Sequence, residues 1–239
     1  MQVDSVDQLP GFRRRFRITP TPECVLSQVE DDYHCMSVTV HHDGIVATRI
    51  HADLTRAPWT TCPGAPAQIE QTFTGVPLLA FAKRADKKTN CTHLYDLALL
   101  CAAHALNKEV LVYDILVSDP IEGRRSAELR RNGVAVLAWK ELDGNIVEPS
   151  EMAGLTVWTL NPWIESLDPA LQEPARLLRW GAVLAHGRMI PMEKQSDASR
   201  MPANCYTFQP ARAVEAQRIV DVRDFSDGTQ QPLQSQGSV

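Results

Sequence analysis

The stretch DDYHCMSVTVHHDGIVATRIHADL, residues 31–54, constrains the fold more than any other part of the chain. Apolar and polar residues alternate on both sides of Asp43-Gly44, and a period of two marks strands with one face on a core. Asp-Gly between two such runs predicts a two-residue hairpin. In that register residue 42 pairs with 45 and residue 34 with 53. His34, Met36, Val38 and Val40 then share a face with Ile45, Ala47, Arg49, His51 and Asp53, and the open end gathers His34, His51 and Asp53. A slip of one residue would scatter that group, because register decides the face each side chain takes.

Around this hairpin the pattern predicts further elements. FRRRFRI (12–18) alternates apolar and basic residues and reads as an edge strand with one wet face, followed by a loop over 19–23. RAPWTTCPGA (56–65) is a loop, and PAQIEQTFTG (66–75) a short helix ending at Gly75. CTHLYDLALLCAAHALN (91–107) is the clearest helix, with Leu94, Leu97, Ala98, Cys101 and Ala105 in one apolar stripe. Residues 109–119 and 133–142 read as strands, the polar stretch between them as a long loop or short helix, 143–145 as a turn and 155–164 as another strand. Residues 168–189 read as a helix capped by Asp168, with Pro169 in its first turn and Pro174 delaying or kinking it. Strands, helices, strands, then a helix favour an α+β fold: one domain over 1–225, a mainly antiparallel sheet with packed helices, and a polar, disordered tail over 226–239.

A chain of 239 residues is long enough for a sizeable core. Its formal net charge of -5, with no basic run beyond Arg13-Arg14-Arg15 and Lys87-Lys88, disfavours nucleic acid as a partner. The N-terminus lacks the basic-then-apolar pattern of a signal peptide, and no apolar run approaches the roughly 20 residues that cross a bilayer. A cytoplasmic protein without a membrane partner is expected, its six cysteines reduced. None of the cysteines forms C-x-x-C, against thioredoxin-type chemistry and zinc ribbons. The glycine-rich phosphate loops, the G-x-S-x-G elbow and H-E-x-x-H are all absent. Those absences leave open cofactor-free lyases, isomerases and hydratases, which carry no universal motif.

Three blocks carry residues able to do chemistry. In the first, Asp31, Asp32 and His34 open the hairpin strand; carboxylates beside a histidine suit acid–base work or a metal, and equally a solvated strand entry. In the second, Cys62 precedes Pro63 and so caps a helical turn, where unpaired N–H groups lower a thiol pKa. Arg56 suits a planar anion and Trp59 a ring, or both are latches for the loop. In the third, Cys91 caps the 91–107 helix, and His93 lies three residues before Asp96, within hydrogen-bond reach. Both thiols are equally well read as small buried hydrophobes, and His104, on the same helix, as a core or boundary histidine.

Together DDYH, RAPWTTCPGA and CTHLYDL resemble the bacterial family known as domain of unknown function 2889, over about residues 12–190. The matching positions are Asp31, Asp32, His34, Arg56, Trp59, Cys62, Pro63, Gly64, Cys91, Thr92, His93, Leu94 and Asp96. The resemblance implies no reaction; it implies that the three blocks meet at one site.

The favoured expectation is a cofactor-independent enzyme of small-molecule catabolism, a lyase or related proton-transfer catalyst acting on an aromatic or carbonyl compound. His34, His93, Asp32, Asp96, Cys62 and Cys91 are its candidate catalytic groups, and Tyr33, Arg56, Trp59 and Tyr95 its candidate substrate-binding groups, with no metal. A small-molecule substrate is the expected partner, and a homo-oligomer is compatible with the sequence. One alternative is a metal or iron–sulfur site on Cys62, Cys91 and His93, with His34 as fourth ligand. The other is a non-catalytic binding or assembly protein.

Overall fold

A computed structural model describes residues 6–234. The chain is α+β with antiparallel strands and packed helices, as expected, and comprises two compact units, each discontinuous in sequence. Strand β1 (Gly11–Pro20) runs from one into the other between Arg15 and Phe16.

In the first unit (described residues 6–15, 112–191 and 224–234) the strand order is β1-β5-β6-β7-β8, with β5 Leu111–Ser118, β6 Arg124–Arg131, β7 Val134–Leu142 and β8 Asn145–Glu148. The polar stretch expected as loop or short helix is therefore strand β6. Its signal was the Asn132-Gly133 pair, whose φ values of 48° and 82° make the left-handed two-residue turn that matches strand twist. Asp143-Gly144, at 50° and 80°, joins β7 to β8 in the same way. Arg125, Ala127 and Leu129 supply the inward face of β6, a period of two hidden behind four arginines.

Helix α4 (Pro169–Arg188) forms as its caps predict, the Asp168 carboxylate accepting from the Ala170 amide at 2.9 Å. Pro174 lies inside it. Proline has no N–H for the Ala170 carbonyl, and Nη2 of Arg131 donates to that carbonyl instead, at 3.4 Å. Gly181 packs so close to Ile115 that a Cβ there would stand 2.6 Å from a methyl carbon. Residues 155–164, expected as a strand, form turns and the start of a short helix, Asn161–Ser166, with Pro162 in its first turn. Residues 226–234 of the expected disordered tail are placed in turns with Leu233 buried, while 235–239 lie outside the described residues.

The basic strand departs most from expectation. β1 is not an edge strand, and its arginines do not form a wet face, for Arg13 is 3% and Arg14 2% exposed. Arg13 is stabilised by backbone carbonyls, among them those of Phe225 at 3.1 Å and Asp7 at 3.0 Å. Carbonyls satisfy its N–H groups where water cannot reach.

In the second unit (16–111 and 192–223) the order is β4-β3-β2-β1, with β2 Cys24–Glu30, β3 Cys35–His42 and β4 Ala47–Arg56. The Asp43-Gly44 turn exists, but the register differs from the two-residue reading. The Asp43 carboxylate accepts from the amides of Ile45 and Val46, making a four-residue connection, and His42 pairs with Ala47, not with Ile45. Beyond a bulge, Thr39 faces His51 and Ser37 faces Asp53. The offset is odd, so His51 and Asp53 share a face with polar residues, away from the core-facing Met36, Val38 and Val40. The expected His34–His51–Asp53 cluster does not form.

Two helices cover the apolar face of these strands: α1 (Ala65–Phe73) over β4 and α2 (Thr92–Ala103) over β2 and β3. Ile69, Phe73, Leu94, Leu97, Ala98 and Cys101 are fully buried there. Each large apolar side chain so buried contributes about 1.5–3 kcal/mol. Among the described residues no helix is long and apolar enough to cross a membrane.

Candidate functional site

The first block is a turn, not a strand entry. DDYH links β2 to β3, and Asp31 ties it. One carboxylate oxygen accepts from the amides of Tyr33 (2.8 Å) and His34 (2.9 Å), and His34 Nδ1 lies 2.9 Å from the same oxygen. Asp31 is fully buried and His34 nearly so. A short Asx-type turn thus puts a carboxylate and an imidazole in register without help from any other element. An ionised carboxylate only accepts, so Nδ1 carries the proton and Nε2 the lone pair. Asp31, not Asp32, is the partner of His34. Asp32 is buried as well, and its carbonyl accepts from the Arg223 amide at 2.9 Å.

The third block meets the first. The His93 ring stacks on His34 with centroids 4.0 Å apart and planes 27° apart. The two histidines that sequence reasoning took from separate blocks come together here. Asp96 does not serve His93; its carboxylate is bound by the Lys87 ammonium at 2.5 Å. Tyr95 also turns elsewhere, packing on Phe73 and donating its hydroxyl to the Arg84 carbonyl at 3.2 Å. Burial and the nearby Asp86 carboxylate push that phenol up to about 12. His104 ends α2 and takes the Asn107 side-chain amide at 2.8 Å.

The second block divides into latch and wall. Arg56 is buried, held by the Glu30 carboxylate at 3.2 Å and by the Asp31 and His34 carbonyls. Those bonds fix both ends of the DDYH turn, so Arg56 latches it, with Arg223 as a second arginine on Glu30 at 3.3 Å. Trp59 is 3% exposed and packs with Cys62, Ala198 and Ala213, its ring edge-on to Phe208 at 5.7 Å. Cys62 is the first residue of a 3-10 turn capped by Thr61, not itself the cap, and its sulfur lies 3.4 Å from the Thr207 hydroxyl.

The thiols are not activated. Cys91 does cap α2, yet burial raises it to about 12, against the opposite pull of the first-turn amides of Leu94 and His93. Burial raises Cys62 too, with the Thr207 hydroxyl only partly offsetting it. A helix N-terminus lowers a thiol pKa where water still reaches the sulfur; at a dry site desolvation wins. Among the described residues no three histidine, cysteine or acidic side chains are gathered as metal ligands, and the face-to-face stack directs the two imidazoles along each other instead of toward a common ion.

Sequence reasoning passed over Arg218. Its guanidinium carbon stands 5.1 Å from the Trp59 ring centroid and 5.6 Å from that of Tyr33, which in turn meets His34 edge-on at 6.3 Å. Nothing local marks it, since segment 214–223 mixes apolar and polar residues and forms no helix or strand, only an isolated bridge at Arg218 itself. Two concave regions, one of about 230 Å³ among Arg13, Arg15, Arg130 and Asp114 and one of about 410 Å³ over His41, Arg49 and His51, include none of the candidate residues.

A scan against known protein families finds no match to this chain, and a search of curated proteins finds no relative.

Proposed function

We propose that the chain is a cofactor-independent enzyme in which His34 moves a proton on a small aromatic or carbonyl compound, in a lyase or related reaction. One observation carries this reading: the buried Asp31–His34 pair stacked on His93. Asp31 holds one tautomer and stabilises the imidazolium that forms, so that His34 Nε2 can take a proton and return it. His93, stacked on His34, holds the plane of that ring. Tyr33, edge-on to His34 and partly exposed, supplies aromatic surface. Cys62 and Cys91, with raised pKa values, are packing residues in this reading, not nucleophiles. We place the reaction in the cytoplasm, where the six unpaired cysteines stay reduced.

The test is proton exchange. Purified protein in D2O is incubated with a panel of aromatic acids, ketones and β-keto acids, and loss of the exchangeable C–H signal is followed by NMR. Wild type should exchange at least one compound, with His34→Gln slower by about 10²-fold or more and its fold intact by circular dichroism. A wild-type protein that exchanges nothing while binding a panel member would be a binding protein, and a His34→Gln variant at wild-type rate would remove His34 from the mechanism.

A further inference from the structure

Arg218 is a cation without an anion. Its side chain is largely buried, and among the described residues Nε has no hydrogen-bond partner and no carboxylate lies within ion-pair distance. In the same unit Arg56 and Arg223 are paired with Glu30 and Arg84 with Asp86, while Arg212, like Arg218, lies over a ring, that of Tyr206. Ring faces attract a guanidinium but carry no net charge, so Trp59 and Tyr33 leave its charge uncompensated. Burial pulls its pKa down, as expected where no counter-ion offsets the lost water.

The backbone that carries this side chain is also held in place. The Thr60 amide donates to the Gln217 carbonyl at 3.0 Å, the Ile219 amide to the Pro58 carbonyl at 2.9 Å, and Trp59 bridges Arg218 between them. The backbone on either side of Arg218 is thereby fixed to the Trp59 segment, and a pre-placed donor loses little freedom when it binds. Its planar fork matches a carboxylate, and the partly exposed Tyr33 ring beside it matches an aromatic body.

We propose that Arg218, and not Arg56, is the anion clamp of the His34 site, taking the carboxylate of a small aromatic acid. The proposal rests on the acid–base reading and names its substrate class. Arg218 and His34 both meet the Tyr33 ring, 5.6 and 6.3 Å from its centroid, so a small aromatic acid held by its carboxylate at Arg218 lies in the neighbourhood of the imidazole. No covalent step belongs to Arg218, which positions and neutralises.

Binding separates this proposal from catalysis. Benzoate, its neutral counterpart benzamide, and inorganic phosphate are titrated into the full chain by calorimetry, with tryptophan fluorescence as second readout. Benzoate should bind wild type at least 10-fold tighter than benzamide, and phosphate should bind and compete with benzoate. Arg218→Gln should weaken benzoate at least 10-fold while leaving benzamide unchanged; Arg218→Lys, which keeps charge and stem but not the fork, should fall between. Its Tm and circular dichroism distinguish lost binding from lost fold. His34→Gln should bind benzoate as wild type does. Equal benzoate affinity in wild type and either folded Arg218 variant would overturn the clamp, as would a wild type that binds neither anion. If benzoate binding needs Arg218 but His34→Gln exchanges protons like wild type, the clamp stands and the acid–base reading falls.

Discussion

Asp31 is the residue on which the site turns, and its removal has a calculable effect. Its carboxylate is fully buried and accepts from two backbone amides at 2.8 and 2.9 Å and from His34 Nδ1 at 2.9 Å. Asp31→Ala leaves those three donors without that acceptor, and breaking a buried charged pair costs about 3–5 kcal/mol. Asp31→Asn is different. The amide oxygen can keep both backbone amides, so the loss is the charge assistance, about 1–2 kcal/mol. The same oxygen lies 2.9 Å from His34 Nδ1 and can keep that proton as well, while the NH2 group replaces the oxygen 3.2 Å from Nδ1. Urea denaturation followed by circular dichroism measures the two stabilities, and 15N NMR of the imidazole reads the tautomer, expected as Nδ1–H in wild type and in Asp31→Asn. Stability should fall in the order wild type, Asn, Ala, in steps of about those sizes. An alanine variant within about 0.5 kcal/mol of wild type, the usual range of a surface change, would show that Asp31 is not the tie of the turn. A wild type with its proton on Nε2 would refute the assignment of Nδ1–H to His34.

Other outcomes follow from the same geometry. Glu141 is buried; burial raises its pKa, but the His186 and Trp139 hydrogen bonds and the His186 and Arg125 charges outweigh burial and hold it below 4.5. A depressed carboxyl contributes stability above its unfolded pKa and loses it as pH falls through the folded one, so unfolding free energy should drop from about pH 4.5 downward, and Glu141→Gln should flatten that limb in a pH series of urea midpoints. Native Cys91 and Cys101, both fully desolvated and raised, should resist iodoacetamide at pH 7.5 until urea unfolds the chain; mass spectrometry showing rapid native labelling of Cys91 would overturn the burial argument. Gly181→Ala should destabilise by about 1–2 kcal/mol although alanine is the better helix former, because its Cβ meets Ile115 at 2.6 Å; a gain in Tm would show that the helix shifts freely.

Some of this was written in the chain locally. Asp168-Pro169 starts α4 and Cys91-Thr92 starts α2, where capping and the 3.6-residue apolar stripe act within a few residues of one another. The alternation on either side of Asp43-Gly44 and the α+β class were legible for the same reason, and so were DDYH, RAPWTTCPGA and CTHLYD as the blocks that carry reactive residues, two of which meet in the His34–His93 stack. What the sequence by itself could not decide were quantities set by partners far along the chain. The register of β3 on β4 depended on how many residues the Asp43 carboxylate gathers into the turn, and a one-sided error there moved His51 and Asp53 off the site. Strand β6 and the buried Arg13 read as polar because their neutralising carbonyls and strand partners lie up to 213 positions away. Whether a thiol at a helix start is activated or inert depended on how dry its surroundings are, which only packing sets. Asp31 outcompeted Asp32, Lys87 took Asp96, Glu30 took Arg56, and Arg218 was left over two rings with no counter-ion, each outcome fixed by which side chain reached a partner once the backbone had closed.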